Sequence, residues 1–518
     1  MRCGARSLPA GVHVSSLHRN EREAIWIGID LGTQSVRATA VSQVGDVLGC
    51  GSHPLTSWRK DGRHEQDPEQ WWLALACACR VALAGLPSAQ IRGVAVGGTS
   101  GTILLINQSG RPLTPALMYD DARAGVEAER ANQPGRELWD TLGYRMQPSW
   151  ALPKLLWLIR THHRLIPYAR LAHQSDFINS RLAGQLLPSD WSNALKTGYD
   201  LLQETWPGDV FDALGIPDHL LPEVVRSGTQ IGVVCQHAAE ITGIPAGTPI
   251  SAGMTDGCAA QIGAGALQPG DWNSVLGTTL VLKGVTRRLL RDPQGALYCH
   301  RSPDGDWLPG GASSTGAGVL AKEFPGRDLA ALSARAAERG PATVVRYPLI
   351  SRGERFPFIA PDAEGFCLGD PADEVDRFAA LLEGVAFIER LCFDYLDMLG
   401  APLNGNLSFT GGGARNRYWR QLRADVLGRA VRLPQNSEPA FGMAVLAAAA
   451  GRRLSDVARE MVGTAEGIEP QPHNSDHFCE SYLRLVHELE RRGWLHPDLA
   501  AHATARCASA DTSIRAIQ

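Results

Sequence analysis

The chain reads as a layered α/β protein whose two halves face one cleft. Three observations predict this. Its 518 residues exceed what a single hydrophobic core organises. Short apolar strand patterns alternate with helical ones along most of its length, as in sheets covered by helices. One scheme, a strand, a small polar turn and a strand, occurs at 25–41 and again in altered form at 272–282. We expect a leader at 1–24, an N-terminal domain at 25–265 and a C-terminal domain at 266–460. A helical segment with a frayed tail would follow at 461–518.

The first copy opens with an apolar run, Ile25 to Ile29, stops at Asp30, turns through Gly32 and resumes near Val36. Its tip offers a carboxylate (Asp30), two hydroxyls (Thr33, Ser35) and the Gln34 amide. Such a turn can hold a hydrated cation while its amides face phosphate oxygens. A plain surface turn uses the same residue types. A helix over about 68–85 follows, entered through Asp67-Pro68. The strand Ile91 to Val96 then ends in Gly97-Gly-Thr-Ser-Gly-Thr102, and Ile103 to Ile106 follows. The stretch Leu113 to Arg123 is irregular and polar at its end, and helical patterns dominate from there to about Ala183. A strand at 249–252 leads to Thr255-Asp256-Gly257, a carboxylate at the start of a small-residue helix, where the helix end favours negative charge. Asp256 there can accept a proton from a substrate hydroxyl or merely cap the helix.

In the second half, Leu276-Gly277-Thr278-Thr279 repeats the polar turn. A long helix is expected over 378–399. The strand Leu407 to Phe409 runs into Gly411-Gly412-Gly413 and a helix near Asn416, a junction that lets backbone lie flat against an anionic ligand. Trp419 either flanks an adenine or joins Leu422 and Val426 in a core stripe. Gly-punctuated Glu438 to Ala444 starts a further helix.

Composition narrows the function. Lys and Arg number 50 against 54 Asp and Glu, for a net −4 with no block of one sign, which excludes a nucleic-acid surface. No apolar run is long enough for a membrane span. The eleven Cys are scattered and odd in number, so reduced thiols in a cytoplasmic setting are expected. The fifteen His form no metal-ligating cluster. Neither a P-loop nor a dinucleotide-binding glycine fingerprint is present.

The ordered set Asp30-Leu-Gly-Thr33, Asp256 after Gly253-Met-Thr, Leu276-Gly-Thr-Thr279 and Gly411-Gly-Gly-Ala-Arg-Asn416 resembles the FGGY carbohydrate kinases. The resemblance runs from about residue 25 to 455. It implies the two-domain actin/hexokinase/heat-shock ATPase (ribonuclease H-like) fold with an interdomain cleft. In the family signature at Lys154-Leu-x-Trp157-Leu158, Ala151 replaces the usual small hydroxyl residue or Pro. Gly98-Thr-Ser-Gly-Thr-Ile-Leu-Leu105, Ser189-Asp-x-x-Asn193-Ala-Leu-Lys196 and Tyr347-Pro-Leu-x-Ser351 look most like the xylulokinase-like D-ribulose kinases. The Met-His-Gly of typical xylulokinases and the Arg-Glu of glycerol kinases are absent at Thr99-Ser100-Gly101.

The resemblance implies an ATP- and Mg²⁺-dependent kinase of a small ketose, D-ribulose by preference, with D-xylulose or another polyol or ketose as the alternative. A non-catalytic nucleotide-dependent binding protein of the same fold is the alternative from another class. By resemblance Asp256 is the base and Asp30 holds Mg²⁺ through water. Ser100, Gln34, Asp30 and Asp256 face the sugar. Thr33, Gly277 and Thr278 contact phosphates, and Gly411, Gly412, Asn416 and Trp419 hold the adenosine. Gln34 and Gly257 depart from the Ser usual in the ribulose-type relatives. The ketose and ATP would be the only partners of a monomer or homodimer.

Overall fold

The computed structural model describes residues 24–471 and 475–515. The expected leader at 1–24 falls outside them but for its last residue. Two large sheets carry the architecture. In the first, the strands run in the order Gln230–Val233, Pro249–Ser251, Ile91–Gly98, Ile25–Leu31, Ser35–Ser42, Val47–Pro54. In the second the order is Leu297–Arg301, Trp307–Ala312, Leu280–Gly284, Trp272–Leu276, Leu407–Thr410, Val431–Pro434, Thr464–Ile468.

The repeated scheme is visible in the pairing. Ile25–Leu31 lies antiparallel to Ser35–Ser42 and parallel to Ile91–Gly98. Trp272–Leu276 lies antiparallel to Leu280–Gly284 and parallel to Leu407–Thr410. Both central strands are largely buried, and Ile25–Leu31, covered on both faces, reads as a continuous apolar run instead of an alternating one. Ile25, Ile27, Ile29 and Leu31 are all buried.

The helix Pro68–Ala82 starts where expected, with the Asp67 carboxylate accepting from the Glu69 N–H at 3.0 Å. The long helix is Glu374–Met398, four residues earlier than its apolar stripe suggested, because Asp373 caps it by accepting from Asp376 N. Arg423 forks onto Glu389 at 2.6 and 2.8 Å, and Ser274 Oγ joins both. This fully buried cluster ties Trp272–Leu276 to Glu374–Met398 and Arg417–Leu427, with the bidentate geometry that makes Arg–carboxylate pairs strong.

Three expectations need correction. The stretch read as helical up to Ala183 contains a strand, Ala169–His173, paired to Ile103–Asn107. Its short alternating pattern follows Pro167 and was masked by the helices around it. The tail expected to fray is the helix Pro497–Arg515, whose Leu499, Ala503 and Cys507 are buried. Alanine favours helix, and a packed neighbour supplies the stability that the sequence window lacks. Cys479 and Cys507 are joined as a disulfide, with Cα atoms 6.2 Å apart, although reduced thiols were expected throughout. The pairing spans two helices and leaves no spacing signature.

The halves interlock through two helices, Asp256–Gly263 and Pro439–Ala448. A Cβ on Gly442 would stand 1.9 Å from the Ala259 carbonyl oxygen, and one on Gly28 would stand 1.7 Å from that of Ala440. Helix Pro439–Ala448, from the second half, therefore lies directly on the central strand of the first. Among the described residues no helix is long and apolar enough to cross a membrane. Gly28→Ala is expected to destabilise the protein by about 3 kcal/mol, the upper end of overpacking costs, because backbone and not a side-chain end must yield. Urea unfolding at a fixed temperature checks this.

Candidate active site

Three parallel strands of the first sheet end side by side, and each delivers one candidate residue. Asp30 lies near the end of Ile25–Leu31. Ser100 follows Ile91–Gly98. Asp256 follows Pro249–Ser251, with Thr255 bridged to Gly98. The carboxyl ends of parallel strands are where open α/β sheets bind ligands.

Asp30 is buried, and its Oδ1 has no hydrogen-bond partner. Burial, and then the charge of Asp256, push its carboxyl up to about 7, with Arg37 acting the other way. Asp256 is the first residue of its helix; Thr255 occupies the cap position expected of it. Its Oδ1 accepts from the Gly257 N–H at 2.7 Å. Burial raises its affinity for a proton, while that N–H and the ammonium groups of Lys196 and Lys283 hold the rise in check. The side chain is partly exposed, beside two cations that favour its charged form.

The loop carrying Ser100 is held from behind. Gln174 Oε1 accepts from both Thr99 N and Thr99 Oγ1 at 2.8 Å. Lys154, fully buried, donates to the carbonyls of Gly101 at 2.6 Å and Met118 at 2.7 Å. Burial pulls its ammonium down to about 7. Ser100 Oγ is left buried without a partner. Behind Asp256, Ser192 Oγ bridges Thr255 Oγ1 and His300 Nδ1. Lys154, Lys196, Lys283, Gln174 and His300 were not among the expected site residues. A lysine inside the apolar helix Ala151–Thr161 and another in the apolar strand Leu280–Gly284 were the available signals.

On the other side of the cleft, Gly411 has φ +80°, and a Cβ there would stand 2.7 Å from Leu276 O. The glycine triplet therefore lies against the start of the Leu276-Gly277-Thr278 turn. Gly412 faces open space. It borders a cavity of about 1240 Å³ lined also by Ala317, Leu320, Ser333, Ala334 and Asn416. Asn416 caps its helix by accepting from Trp419 N at 3.1 Å, and its Nδ2 donates to Ser333 Oγ at 2.7 Å. Trp419 borders the cavity but is 2% exposed, and its indole N–H is donated to Leu382 O. It packs as the core stripe with Leu422 and Val426 and presents no open ring face. Gln34 is exposed at the hairpin tip, with its carbonyl accepting from Leu55 N. Thr278 is exposed at its turn, and Thr33 is partly covered, its carbonyl accepting from Gln66 Nε2 at 2.7 Å.

The orphaned oxygen of Asp30 suits a hydrated divalent cation, and the cavity, with its glycine edge, apolar wall (Ala317, Leu320, Ala334) and polar rim, suits a nucleoside. Among the described residues no group of three or more His, Cys, Asp or Glu gathers as a metal cage. In the ligand-free protein, Asp30 binds a proton more tightly folded than unfolded. Its contribution to stability is complete below the unfolded pKa of 3.8 and is lost as pH rises through about 7. Asp30→Asn is expected to melt above the wild type at about pH 8 and level with it near about pH 4, as followed by calorimetry without ligands.

Comparison with known proteins completes the description. Residues 25–263 match the N-terminal domain of the FGGY family of carbohydrate kinases, and residues 273–451 match its C-terminal domain. The xylulose kinase of Streptomyces coelicolor is 31% identical over 458 residues, covering 85% of this chain and 91% of that protein. The xylulose kinase of Escherichia coli is 29% identical, covering 82% and 89%. The crystal structure of xylulose kinase from Rhodospirillum rubrum superposes with a TM-score of 0.81 at 28% identity, covering 92% and 99%. With both halves matched in order, the chain belongs to the FGGY family of ATP-dependent carbohydrate kinases, with the two-domain actin/hexokinase fold.

Proposed function

We propose that this kinase transfers the γ-phosphoryl group of ATP to the terminal hydroxyl of D-xylulose, giving D-xylulose 5-phosphate. The observation that carries the reading is the placement of Asp30, Ser100 and Asp256 at three adjacent strand ends of the first half, together with the cavity edged by Gly412 and Asn416 in the second. The sequence reading put D-ribulose first. The similarity of the chain to xylulose kinases over more than four-fifths of its length supports D-xylulose instead. D-ribulose stands as the second reading, favoured by Thr99-Ser100-Gly101, which differs from the usual xylulokinase loop.

Asp256 orients the terminal hydroxyl and takes its proton. In a loose phosphoryl-transfer transition state the proton leaves late, so a carboxylate suffices. Ser100 Oγ and Asp30, both with unpartnered buried oxygens, supply hydrogen-bonding groups to the sugar's other oxygens. Asp30 is the residue that would hold Mg²⁺, through water. The metal, when bound, neutralises charge on the transferring phosphate. Gly412 backbone and Asn416 border the adenosine, and Gly277 and Thr278, with Thr33 opposite, supply donors to the phosphates.

Asp256→Asn is expected to lower kcat for the ketose by about 10³-fold or more while leaving ADP binding intact. A coupled ADP-release assay and calorimetric titration check this, and turnover at the wild-type rate would remove Asp256 from its role. Across a panel of pentuloses, hexuloses and polyols, D-xylulose is expected to show the highest kcat/KM. A higher value for D-ribulose would restore the second reading.

A further inference from the structure

Two ammonium groups, those of Lys196 and Lys283, act on Asp256 through their charge, but the phosphoryl-transfer step as described gives their N–H donors no partner. Lys283 projects from the strand Leu280–Gly284 and is buried, yet its hydrogen-bond partner is a thiol, Cys258 Sγ at 3.6 Å. Lys196 donates to Ser100 O across a long 3.4 Å. Among the described residues neither has a carboxylate partner within ion-pair distance. Both ammonium groups lie over the Tyr298 ring, at 5.2 Å for Lys196 and 5.7 Å for Lys283, and Lys196 also lies 5.5 Å from the Trp150 ring. A ring face attracts a cation but leaves its N–H donors unmatched. Burying the Lys283 ammonium with no oxygen acceptor costs several kcal/mol, and the half-buried Lys196 has only the long bond to Ser100 O, so the arrangement needs a use.

The surrounding chain is shaped for these side chains. A Cβ on Gly257 would stand 3.1 Å from Lys283 Cε, and one on Gly310 would stand 3.3 Å from the same atom. A Cβ on Gly101 would stand 3.2 Å from Lys196 Cδ. Gly257, a departure from the residue usual in the ribulose-type relatives, thus leaves the room that Lys283 fills. Lys196 comes from the first half and Lys283 from the second, so the pair closes the sugar end of the cleft from both sides. Each reaches a loop that carries a proposed sugar contact, Ser100 or Asp256.

We infer that Lys196 and Lys283, stacked on Tyr298, form a specificity-determining subsite that donates hydrogen bonds to the ketose oxygens remote from the phosphorylated hydroxyl. This rests on the reading of the protein as a ketose kinase. The subsite completes a pocket in which Asp30, Asp256 and Ser100 supply mainly acceptors. A ketose carbonyl accepts but cannot donate, so it needs the donors that the two lysines provide.

The test uses the full chain with ATP and Mg²⁺. Lys196→Met is expected to raise KM for the ketose by about tenfold or more with kcat changed much less, the mark of lost substrate binding. ADP affinity should stay at the wild-type value, and Lys196→Arg should recover most of the loss. Lys283→Met is expected to act in the same direction. Because Lys283 is buried, its melting temperature is measured alongside, and the Lys196 variants decide the matter if it fails to fold. An unchanged KM in Lys196→Met overturns the subsite and leaves the ketose kinase reading intact. Conversely, if the wild type phosphorylates a sugar acid such as an aldonate faster than every ketose, and Lys196→Met abolishes that preference, the ketose reading fails while the lysines remain substrate ligands.

Discussion

The Ala440 carbonyl oxygen lies where a side chain on Gly28 would begin, and the Ala259 carbonyl where one on Gly442 would begin. These two backbone contacts fix the geometry of the cleft. Gly28 lies two residues before Asp30 on the same strand, and Ala259 lies three residues after Asp256 on the same helix. The helix Pro439–Ala448 rests on both elements, so it sets how the two carboxylates stand relative to each other. Packed backbone is bistable or rigid, not continuously deformable, and a shift here would be felt at the reacting hydroxyl. The exposed Arg37–Glu438 pair at the same junction adds little, as solvent-exposed ion pairs do.

The site is assembled at a cost to the fold. Asp30 and Ser100 bury oxygens with no protein partner, and Lys154 buries an ammonium satisfied by two backbone carbonyls. Each would be cheaper as an apolar residue. Their placement is tolerated because the supports behind them are well packed. Gln174 and Lys154 hold the Ser100 loop, and the Ser192–His300 link holds the turn before Asp256. His300 is fully buried and held neutral by that burial and by Lys283 and Lys196, so it acts as a fixed hydrogen-bonding wedge. Tight support of a few under-satisfied groups is what a preorganised site requires.

The main-chain scheme was legible because it is local. A strand pattern, a Gly–hydroxyl turn and a second strand pattern announce Ile25–Leu31 and Trp272–Leu276 without any long-range information. Asp67-Pro68 announces its helix in the same way. What could not be read is what depends on distant partners. Lys154 acquires its role only when Gly101 and Met118 arrive from elsewhere in the chain. Trp419 shows the same limit: its spacing fitted a core stripe and a ligand wall equally, and only the Leu382 carbonyl above its indole N–H decides for the stripe. The Cys479–Cys507 link and the terminal helix likewise exist by virtue of the neighbours on which they pack.

The two halves repeat one scheme but do not share its chemistry. Aligned on the glycine of the turn, Asp30 corresponds to Val275, so the carboxylate that suits a cation exists in one half alone. The second carboxylate obeys the same asymmetry. Asp256 begins the helix that follows Pro249–Ser251, and its counterpart region, at the start of the helix that follows Val431–Pro434, presents Glu438, which faces solvent and pairs with Arg37. The second half, in turn, opens a cavity beside its glycine triplet. A symmetric pair of acidic halves would place like charges on both walls, where a polyphosphate would be repelled. Keeping a carboxylate out of the turn that faces the phosphates, and leaving glycines and hydroxyls there, is the arrangement that lets one cleft accept a neutral sugar and a highly charged nucleotide together.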